Sequence, residues 1–194
     1  MRKVIAFFSL PFLWLHLLVR FFGKNRTLFE EDQVFTRLHR GNPFKNTVLQ
    51  FAYYIVWLPE YRSVFYRRAR LVGKVMSLYL PKQKCLYIRT LQIGGGMCVS
   101  HGHSTEINAK SIGYNCHIFQ NVTIGTNGSS KGPVIGNNCF FGAGCVVLGD
   151  IKIGDNVKIG ANAIVVKDVP DNCIVITKGT VIIKKDGEKV NIPL

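Results

Sequence analysis

One apolar position recurs every sixth residue through the second half of the chain, between residues 93 and 183. Most of these residues are followed by glycine, and a second small or β-branched residue stands four places after each. The marked positions are Ile112, Ile118, Ile124, Ile135, Phe141, Val147, Ile153, Ile159 and Val165. A helical period would drift out of this register within two turns, and simple strand alternation would not keep glycine at a fixed place. The pattern is a hexapeptide repeat.

Each hexad predicts a short strand and a tight turn, with the large apolar side chain pointing into a core and the glycine at the bend. Three hexads close one coil, and successive coils hydrogen-bond to one another, so the fold class is mainly β, a parallel β-helix behind an α-helical N-terminal region. Gly142-Ala143-Gly144 could instead begin a dinucleotide-binding loop, but it lacks the third glycine and keeps the surrounding period.

We expect three parts: a basic helical region over 1–84, the solenoid over 85–183, and a C-terminal tail over 184–194 that begins near a turn at 185–187. The repeat itself is expected to end near Val165. One interruption is visible, because Ile124 to Ile135 spans eleven residues instead of six. The surplus is a polar, glycine-rich loop over 126–133, and insertions in repeat proteins collect on the binding face. Asn127 and Lys131 are therefore candidates for binding an acceptor.

The two halves differ in charge. Residues 1–92 contain 16 Lys and Arg against 4 Asp and Glu, a net charge of +12, whereas residues 93–194 contain 9 against 7, a net charge of +2. This asymmetry predicts that the N-terminal half contacts a polyanionic surface. The first candidate for that surface is an anionic membrane, and the second is nucleic acid. Solvated helix faces are the alternative, and because no known nucleic-acid motif is present we do not expect a nucleic-acid partner.

The first 24 residues combine an apolar run from Val4 to Val19 with basic residues on both sides. A run of sixteen residues that contains Pro11 is short for a membrane span, which needs about twenty. We expect a helix in the membrane interface, and packing in an oligomer interface is the alternative. The aromatic residues would enter the acyl boundary and the basic ones would meet the headgroups, namely Phe7, Phe8 and Trp14, and Arg2, Lys3, Arg20 and Lys24.

Three further helices are predicted before residue 85. Thr27-x-x-Glu30 fits a capping box that begins a helix ending near Arg40. A second helix covers about 46–58, and a third begins at Pro59 and ends before Pro81.

The six cysteines form no C-x-x-C pair, and three of them, Cys116, Cys139 and Cys145, occupy the small inward position of a hexad. They are interpreted as core residues in a reducing compartment, neither a disulfide framework nor a zinc site. A cytoplasmic protein, peripheral on the inner leaflet, is the expectation that follows.

Histidine supplies the candidate chemistry, since no Ser-His-Asp order, P-loop or zincin motif occurs. His101 and His103 stand in Ser100-His101-Gly102-His103, and His117 lies in a later hexad. Histidine is a suitable general base near neutral pH. The alternative for each of the three is a polar surface residue without a catalytic role.

The segment from Ile93 to His101, with Ile107-Asn108 and Asn121-Val122-Thr123-Ile124-Gly125, resembles the hexapeptide acetyltransferases of the serine O-acetyltransferase type. The likeness continues through Gly142-Ala143-Gly144, Ile159-Gly160-Ala161 and 166–170, and covers about residues 86–183. It implies a left-handed β-helix, a homotrimer with sites between subunits, acetyl-CoA as donor, and His101 as the general base. It also implies that the helices could pair trimers into hexamers.

By the same resemblance, the pantetheine arm of acetyl-CoA follows main-chain groups of small residues, here Gly142, Ala143, Gly160 and Ala161, with Gly125 counted among them. Lys158, Lys167 and Lys178 are candidates for the phosphates of the donor.

Three departures leave the acceptor open between L-serine and a sugar or glycan hydroxyl. The aspartate of the family falls at Leu86, the acid before the base is Ser100, and its second histidine and neighbouring arginine correspond to Gly132 and Lys131. His117 joins Asn127 and Lys131 as a candidate for binding the acceptor. Surface-polysaccharide relatives acetylate sugars, and a basic, apolar N-terminus would suit a lipid-linked glycan.

Two other classes of function remain. One is a zinc lyase like the γ-type carbonic anhydrases, with His101, His103 and His117 as ligands, although the spacing of that family is not reproduced. The other is a non-catalytic scaffold. For the acetyltransferase we expect no metal.

Overall fold

The computed structural model describes residues 1–128, 131–177, 181–185 and 188–193. Its N-terminal part is helical. The helices are α1 Arg2–Phe8, a 3₁₀ turn Leu10–Leu13, α2 Trp14–Phe22, α3 Arg26–Arg40, α4 Thr47–Trp57 and α5 Pro59–Tyr79. The strands that follow are β1 Leu86–Ile88, β2 Gln92–Ile93, β3 Cys98–Val99, β4 Thr105–Ile107, β5 Ser111–Ile112, β6 His117–Ile118, β7 Thr123–Gly125, β8 Val134–Ile135, β9 Phe140–Phe141, β10 Val146–Leu148, β11 Lys152–Ile153, β12 Lys158–Ile159, β13 Ile164–Val165, β14 Ile174–Val175, β15 Val181–Lys185 and β16 Glu188–Pro193.

Fourteen strands form the three faces of a left-handed parallel β-helix. The first face is β1-β4-β7-β10-β13, the second is β2-β5-β8-β11, and the third is β3-β6-β9-β12-β14. The marked hexad residues pair in register, as Ile112 does with Ile135 and Ile118 with Phe141. Their side chains fill one continuous apolar core, which includes Cys116, Cys139 and Cys145, so the prediction of the core from the repeat is confirmed.

The coils continue beyond Val165, where the repeat was expected to end. Val169 bridges to Ile153, and β14 pairs with β12, so the fifth coil, which begins with β13, extends to Val175. The sequence misses it because this coil is shorter than the others. The antiparallel pair β15–β16 comes next, and the predicted turn includes Asp186 and Gly187, which lie outside the described residues.

The glycines of the repeat have a different role from the one predicted. Most of those that follow the marked residues do not have positive φ; the left-handed positions are instead held by asparagine, for example Asn138 with φ 55° and Asn156 with φ 57°. The glycines are required by the neighbouring coil, since a Cβ on Gly113 would stand 2.6 Å from the carbonyl oxygen of Gly136. Stacked asparagine and glycine columns therefore set the edges of the prism.

The helices form a second core beside the first coils. Phe29, Phe51, Tyr54 and Phe65 are among its buried side chains. Two predictions about this region are wrong. α3 begins at Arg26 with Asn25 at the N-cap and no side-chain cap, so Thr27 and Glu30 form no capping box. The N-terminal run is broken, because α1 ends at Phe8 and α2 begins at Trp14.

In the part of the chain that the structure describes, no single helix is both long and apolar enough to span a bilayer. Arg2–Phe8 and Leu10–Phe22 meet that length and composition only when taken together, and they are bent by 59°. Trp14, Phe7 and Phe8 are exposed as predicted, but Arg20 is buried and donates two hydrogen bonds to Gln33 Oε1. Arg20 therefore does not face headgroups.

Candidate active site

His101 lies on one edge of the prism, where the third face turns into the first. The same edge is formed in later coils by residues 119–121, 142–144 and 160–162, and we call it the His101 edge. His101 is exposed, and its ring centroid lies 6.5 Å from that of Phe119 in the next coil. The general-base candidate is thus accessible and is stacked above a column of later coil edges.

The loop that carries His101 is an insertion that the repeat analysis missed. Val99 pairs with Ile118, and Ile107 pairs with Ile124. From Val99 to Ile107 the chain advances eight residues, whereas from Ile118 to Ile124 in the next coil it advances six. His101 has φ 55°, a conformation uncommon outside glycine and asparagine. Such positions concentrate at functional sites. The two extra residues push the His101 side chain out of the regular edge.

Gly102 follows His101 in this loop, and it is buried. A Cβ at this position would stand 2.9 Å from Val99 Cγ1, 3.1 Å from Leu86 Cδ2 and 3.3 Å from Glu60 Cγ. Leu86 therefore fills space under the loop where the resemblance places an aspartate. The nearest acidic residue comes instead from the first turn of α5.

Glu60 is that residue, and only 6 % of its surface is exposed. Within the described residues its carboxylate forms no hydrogen bond or ion pair, and its oxygens are not among the fully buried side-chain atoms without a partner, which are Tyr61 Oη and Gln120 Oε1. The carboxylate oxygens of Glu60 therefore reach solvent and are available to a ligand near the His101 loop. The helical region thus supplies a group that the repeat does not contain.

His103 is held by the same helical region. Gln83 Nε2 lies 3.0 Å from His103 Nδ1, and the Gln83 main-chain N–H donates to Ser63 Oγ at 2.9 Å. His103 is exposed, in keeping with the polar surface residue expected by default.

His117 lies in strand β6, not at a coil corner, and is only 8 % exposed. Its Nε2 is 2.9 Å from Ser100 Oγ, and its ring packs at 4.5 Å between centroids against His39 of α3. Burial, together with the charges of His39 and Arg40, lowers the pKa of His117 to about 4. His117 is therefore neutral at pH 7 and joins α3 to the solenoid. Its part in binding an acceptor stays a prediction.

The predicted donor-binding residues divide between two edges. Gly142, Ala143, Gly160 and Ala161 lie on the His101 edge, two and three coils below His101. At a coil rise of about 4.8 Å these are axial separations of about 10 and 14 Å. A Cβ on Gly142 would stand 2.7 Å from the main-chain nitrogen of Ala161, so the backbone of this edge is closely stacked and free of bulky side chains.

Three other candidates lie elsewhere. Lys158 is exposed on strand β12 of the third face, Gly125 ends strand β7, and Lys167 follows β13 at the turn to the second face. Gly125 and Lys167 therefore share a different edge of the same chain. Lys178 lies outside the described residues.

The polar loop over 126–133 also lies away from His101, and its residues Ser129 and Ser130 are outside the described residues. A Cβ on Gly132 would stand 2.4 Å from the Asn108 carbonyl oxygen, and Lys131 Nζ is 3.8 Å from Asp150 Oδ2. Asn127 lies beside Gly149. These contacts hold the loop between the first and second faces. In a single chain the loop and His101 thus occupy different edges.

Among the described residues, no group of three or more His, Cys, Asp or Glu side chains is arranged to hold a metal ion. His117 is buried against Ser100, whereas His101 and His103 are exposed, so the three histidines do not form the ligand set that a zinc lyase would need.

Sequence reasoning missed Glu60, Gln83 and the two-residue insertion. The insertion could have been found by counting eight residues from Val99 to Ile107. Glu60 and Gln83 carry no such signal, because only the packing of the helices on the first coil brings them to the loop.

Comparison with known proteins agrees with the fold and the repeat. Residues 132–167 match the family model described as bacterial transferase hexapeptide (six repeats). A serine acetyltransferase of Synechococcus elongatus is 39% identical over 104 residues, which are 52% of this chain and 43% of that protein. One of Bacillus pumilus is 29% identical over 170 residues, 82% of this chain and 77% of that protein.

Solved structures show the same likeness. The serine acetyltransferase of Neisseria gonorrhoeae in complex with serine has a TM-score of 0.58 and 25% identity, covering 79% of this chain and 66% of that one. That of Entamoeba histolytica isoform 3, in complex with cysteine, has a TM-score of 0.58 at 24% identity, covers 85% of this chain and 63% of that one, and supports the fold alone. The chain spans about half the length of most of the curated relatives that it matches. In sequence and in fold, the chain is therefore similar to serine acetyltransferases.

Proposed function

We propose that this protein is an O-acetyltransferase that moves an acetyl group from acetyl-CoA to a hydroxyl, with His101 as the general base. One observation carries the proposal most directly. His101 is exposed, at φ 55°, on an inserted loop above the closely stacked edge that contains Gly142 and Gly160. An extended thioester arm along that edge would bring its carbonyl carbon to the histidine, as the similarity to serine acetyltransferases leads us to expect.

The reaction is a direct transfer. Neutral His101 accepts the proton of the acceptor hydroxyl as its oxygen attacks the thioester carbonyl carbon. The tetrahedral intermediate collapses, the carbon–sulfur bond breaks, and the thiolate of CoA takes the proton back from His101. Main-chain N–H groups of a coil edge would stabilise the oxyanion. No covalent intermediate with the protein forms.

Glu60 is proposed as the acidic group of the acceptor site. Its side chain packs against Gly102, the residue after the proposed base, and its carboxylate forms no hydrogen bond or ion pair among the described residues. Such a carboxylate can accept from a charged or hydroxyl hydrogen-bond donor of a ligand. L-Serine offers an ammonium group for it, and the similarity to serine acetyltransferases favours this acceptor. A sugar offers only hydroxyls and is the second candidate, because the serine-binding histidine and arginine of the family are replaced here by Gly132 and Lys131.

A homotrimer completes the site in this proposal. Asn127, Lys131, Gly125 and Lys167 lie on an edge different from that of His101 in the same chain. Three prisms packed side by side would set the loop edge of one subunit against the His101 edge of the next. The helical region could pair such trimers into hexamers.

The first test is release of CoA thiol from acetyl-CoA, with L-serine and with a panel of nucleotide-linked and lipid-linked sugars. We expect acceptor-dependent release by the wild type and a loss of 10²-fold or more in His101→Ala, the usual size of a general-base contribution. His103→Ala is the matched control, because His103 is an exposed histidine two residues away. Equal losses in both variants, or no acceptor-dependent release, would refute the assignment and leave a scaffold role.

Glu60→Gln separates the acceptor site from the base. It keeps the size of the side chain and removes the charge, so KM for serine should rise while the KM for acetyl-CoA stays constant. If sugars are the acceptors, the glutamine can still accept hydrogen bonds and the effect on KM should be small. A fall in kcat with both KM values unchanged would contradict the acceptor role.

A further inference from the structure

A second surface lies on α2 and the end of α5. Large apolar side chains project into solvent from both helices, with 83% of Phe22, 72% of Leu71 and 83% of Leu78 exposed. We call it the α2–α5 face; its exposed apolar members are Trp14, Leu18, Phe22, Leu71, Val72, Val75, Leu78 and Tyr79. Soluble proteins rarely leave so many large apolar groups in one region without a partner.

The two helices of this face run side by side in opposite directions. Tyr79 Oη is 3.0 Å from His16 Nδ1, which ties the end of α5 to the start of α2. At the other end, Val19 and Lys24 line one cavity of about 270 Å³ together with Arg70 and Val72. The exposed residues of α2 and those of α5 therefore lie on adjacent helices.

A break in α5 shapes this surface. Arg70 has φ 52° and ψ −119°, which is not helical, and the chain turns there so that Gly73 lies against the main chain of Tyr66. The nine residues from Leu71 to Tyr79 are mostly exposed, with only Gly73 and Met76 buried. This last segment of α5 is held to the helical core through Met76 and presents most of its other side chains to solvent.

Next to the break lies a cavity of about 540 Å³ between α5 and the first coil. Arg67, Arg70, Lys74 and Lys82 line it together with Leu71 and Leu91, and none of its lining residues is acidic. Arg67 donates to the main-chain oxygens of Thr90 and Arg89. None of the four cations forms an ion pair within the described ranges. Four cations around one concavity with no carboxylate are complementary to an anion.

We infer that the α2–α5 face docks on an anionic phospholipid bilayer, with its apolar side chains in the acyl boundary and the basic cavity on lipid phosphates. Stable anchoring needs two signals, an apolar one and a basic one, and both are present here. A second copy of this chain fits less well, because a symmetric contact would bring the same unneutralised cations face to face. The inference is independent of the acetyl transfer proposed above.

The surface differs from the one that the first 24 residues alone predict. His16 and Arg20 are buried and take no part in it. Five of its eight exposed apolar members lie between Leu71 and Tyr79, a segment that the sequence does not mark as a membrane contact.

The test is flotation of the full-length protein with vesicles of phosphatidylcholine alone and of phosphatidylcholine with 30 mol% phosphatidylglycerol. We expect binding to the anionic vesicles and at least tenfold weaker binding to the neutral ones. Leu71→Ser/Leu78→Ser should abolish binding. Lys74→Gln/Lys82→Gln should weaken it about thirtyfold, from roughly 1 kcal/mol for each basic residue near an anionic surface.

Matched controls come from the solenoid. Ile174→Ser/Ile176→Ser removes apolar side chains that are 70% and 74% exposed, and Lys110→Gln/Lys152→Gln removes two exposed charges. Both controls should bind as the wild type does. The inference is overturned if the wild type floats with neither vesicle, or if the controls lose as much binding as the test variants. It is also overturned if Leu71→Ser/Leu78→Ser lowers the molar mass by light scattering while vesicle binding stays unchanged, since the face is then an interface between subunits.

Discussion

The solenoid and the helical region bury different kinds of side chain. The core of the solenoid is a single column of apolar side chains, and its polar groups are satisfied at the edges by the next coil. The helical region buries charged and polar side chains within and around its apolar core, among them His16, Arg20, Asp32, Gln33, Gln50, Arg62 and Arg68. A repeat can bury apolar residues through contacts between neighbouring coils, whereas buried charges need partners brought from distant parts of the chain.

The two regions meet at one such buried pair. Arg68 of α5 donates to both carboxylate oxygens of Asp32 of α3, at 2.6 and 2.9 Å, and to the main-chain oxygens of Ile93 and Gly94. Asp32 Oδ1 also accepts from the Met97 N–H at 2.9 Å. Five hydrogen bonds thus fix two helices to the first coil, next to the loop that carries His101.

The largest expected effect comes from breaking the buried Arg68–Asp32 pair. Asp32→Ala leaves the Arg68 guanidinium buried without its counter-charge, and removal of one partner of a buried pair costs about 3–5 kcal/mol. The free energy of unfolding, measured by urea denaturation, should fall by that amount. Glu106→Ala is the control: Glu106 pairs with Arg89 at 2.8 Å on the surface, and its loss should cost less than about 1 kcal/mol. A similar loss in the free energy of unfolding for both variants would show that the buried Arg68–Asp32 pair does not hold the two regions together.

The same contrast explains what the sequence could predict. The hexad pattern determines the faces, the core and the inward cysteines, because each coil repeats the contacts of the one before. The fifth coil and the insertion at His101 depart from the period and were missed. In the helical region, the helices were found from start and stop signals such as Pro59 and Pro81, but nothing in the sequence pairs Asp32 with Arg68 or buries Arg20.

The candidate site divides in the same way. His101 and the small residues of its edge were predicted from the repeat and the family resemblance. Glu60 and Gln83 were not, because they reach the loop from the helical region through contacts distant in sequence. Residues that belong to a repeat can be predicted from their neighbours in the chain, and residues that cross between regions cannot.

A second prediction concerns the buried histidine of the helical region and the pH dependence of stability. Burial, together with the charge of Arg62, lowers the pKa of His16 to about 4. Between about pH 6.5 and pH 4 the unfolded chain binds a proton at this residue that the folded protein does not, so stability falls as the pH falls through that window. The effect is at most about 3 kcal/mol.

His16→Gln isolates this contribution. Its free energy of unfolding should depend less steeply on pH than that of the wild type from pH 6.5 to pH 4, and equally above pH 7. His117→Gln should act in the same sense, because burial lowers that pKa also to about 4. Unchanged pH dependence in His16→Gln would mean that the helical region does not bury a neutral histidine at this place.

A third prediction tests whether close stacking of coils, and not backbone conformation, explains the glycines of the solenoid. A Cβ on Gly142 would stand 2.7 Å from Ala161 N and 2.9 Å from Gly160 C, whereas a Cβ on Gly125 meets only Leu148 Cδ2 at 3.7 Å. Gly142→Ala should therefore cost about 1–3 kcal/mol, as overpacking does. Gly125→Ala should be neutral or stabilising by up to about 1 kcal/mol. Equal melting temperatures for the two variants would contradict this explanation.

The smallest effect is expected on the asparagine column at the edge between the second and third faces. This column consists of four asparagines with positive φ, namely Asn115, Asn138, Asn156 and Asn172. The side-chain nitrogen of each of the first three donates to the side-chain oxygen of the next, for example Asn138 Nδ2 to Asn156 Oδ1 at 3.1 Å. Asn138→Gly keeps the left-handed backbone and loses only two exposed hydrogen bonds, so the loss of stability should be a few tenths of a kcal/mol to about 1 kcal/mol. Asn138→Ala adds the strain of alanine at φ 55° and should cost about 1 kcal/mol more. The difference between the two variants, measured by thermal unfolding, separates strain from hydrogen bonding. If alanine is no worse than glycine, the edge relaxes at this position, and the rigid stacking that distinguishes the solenoid from the helical region does not extend to its exposed edges.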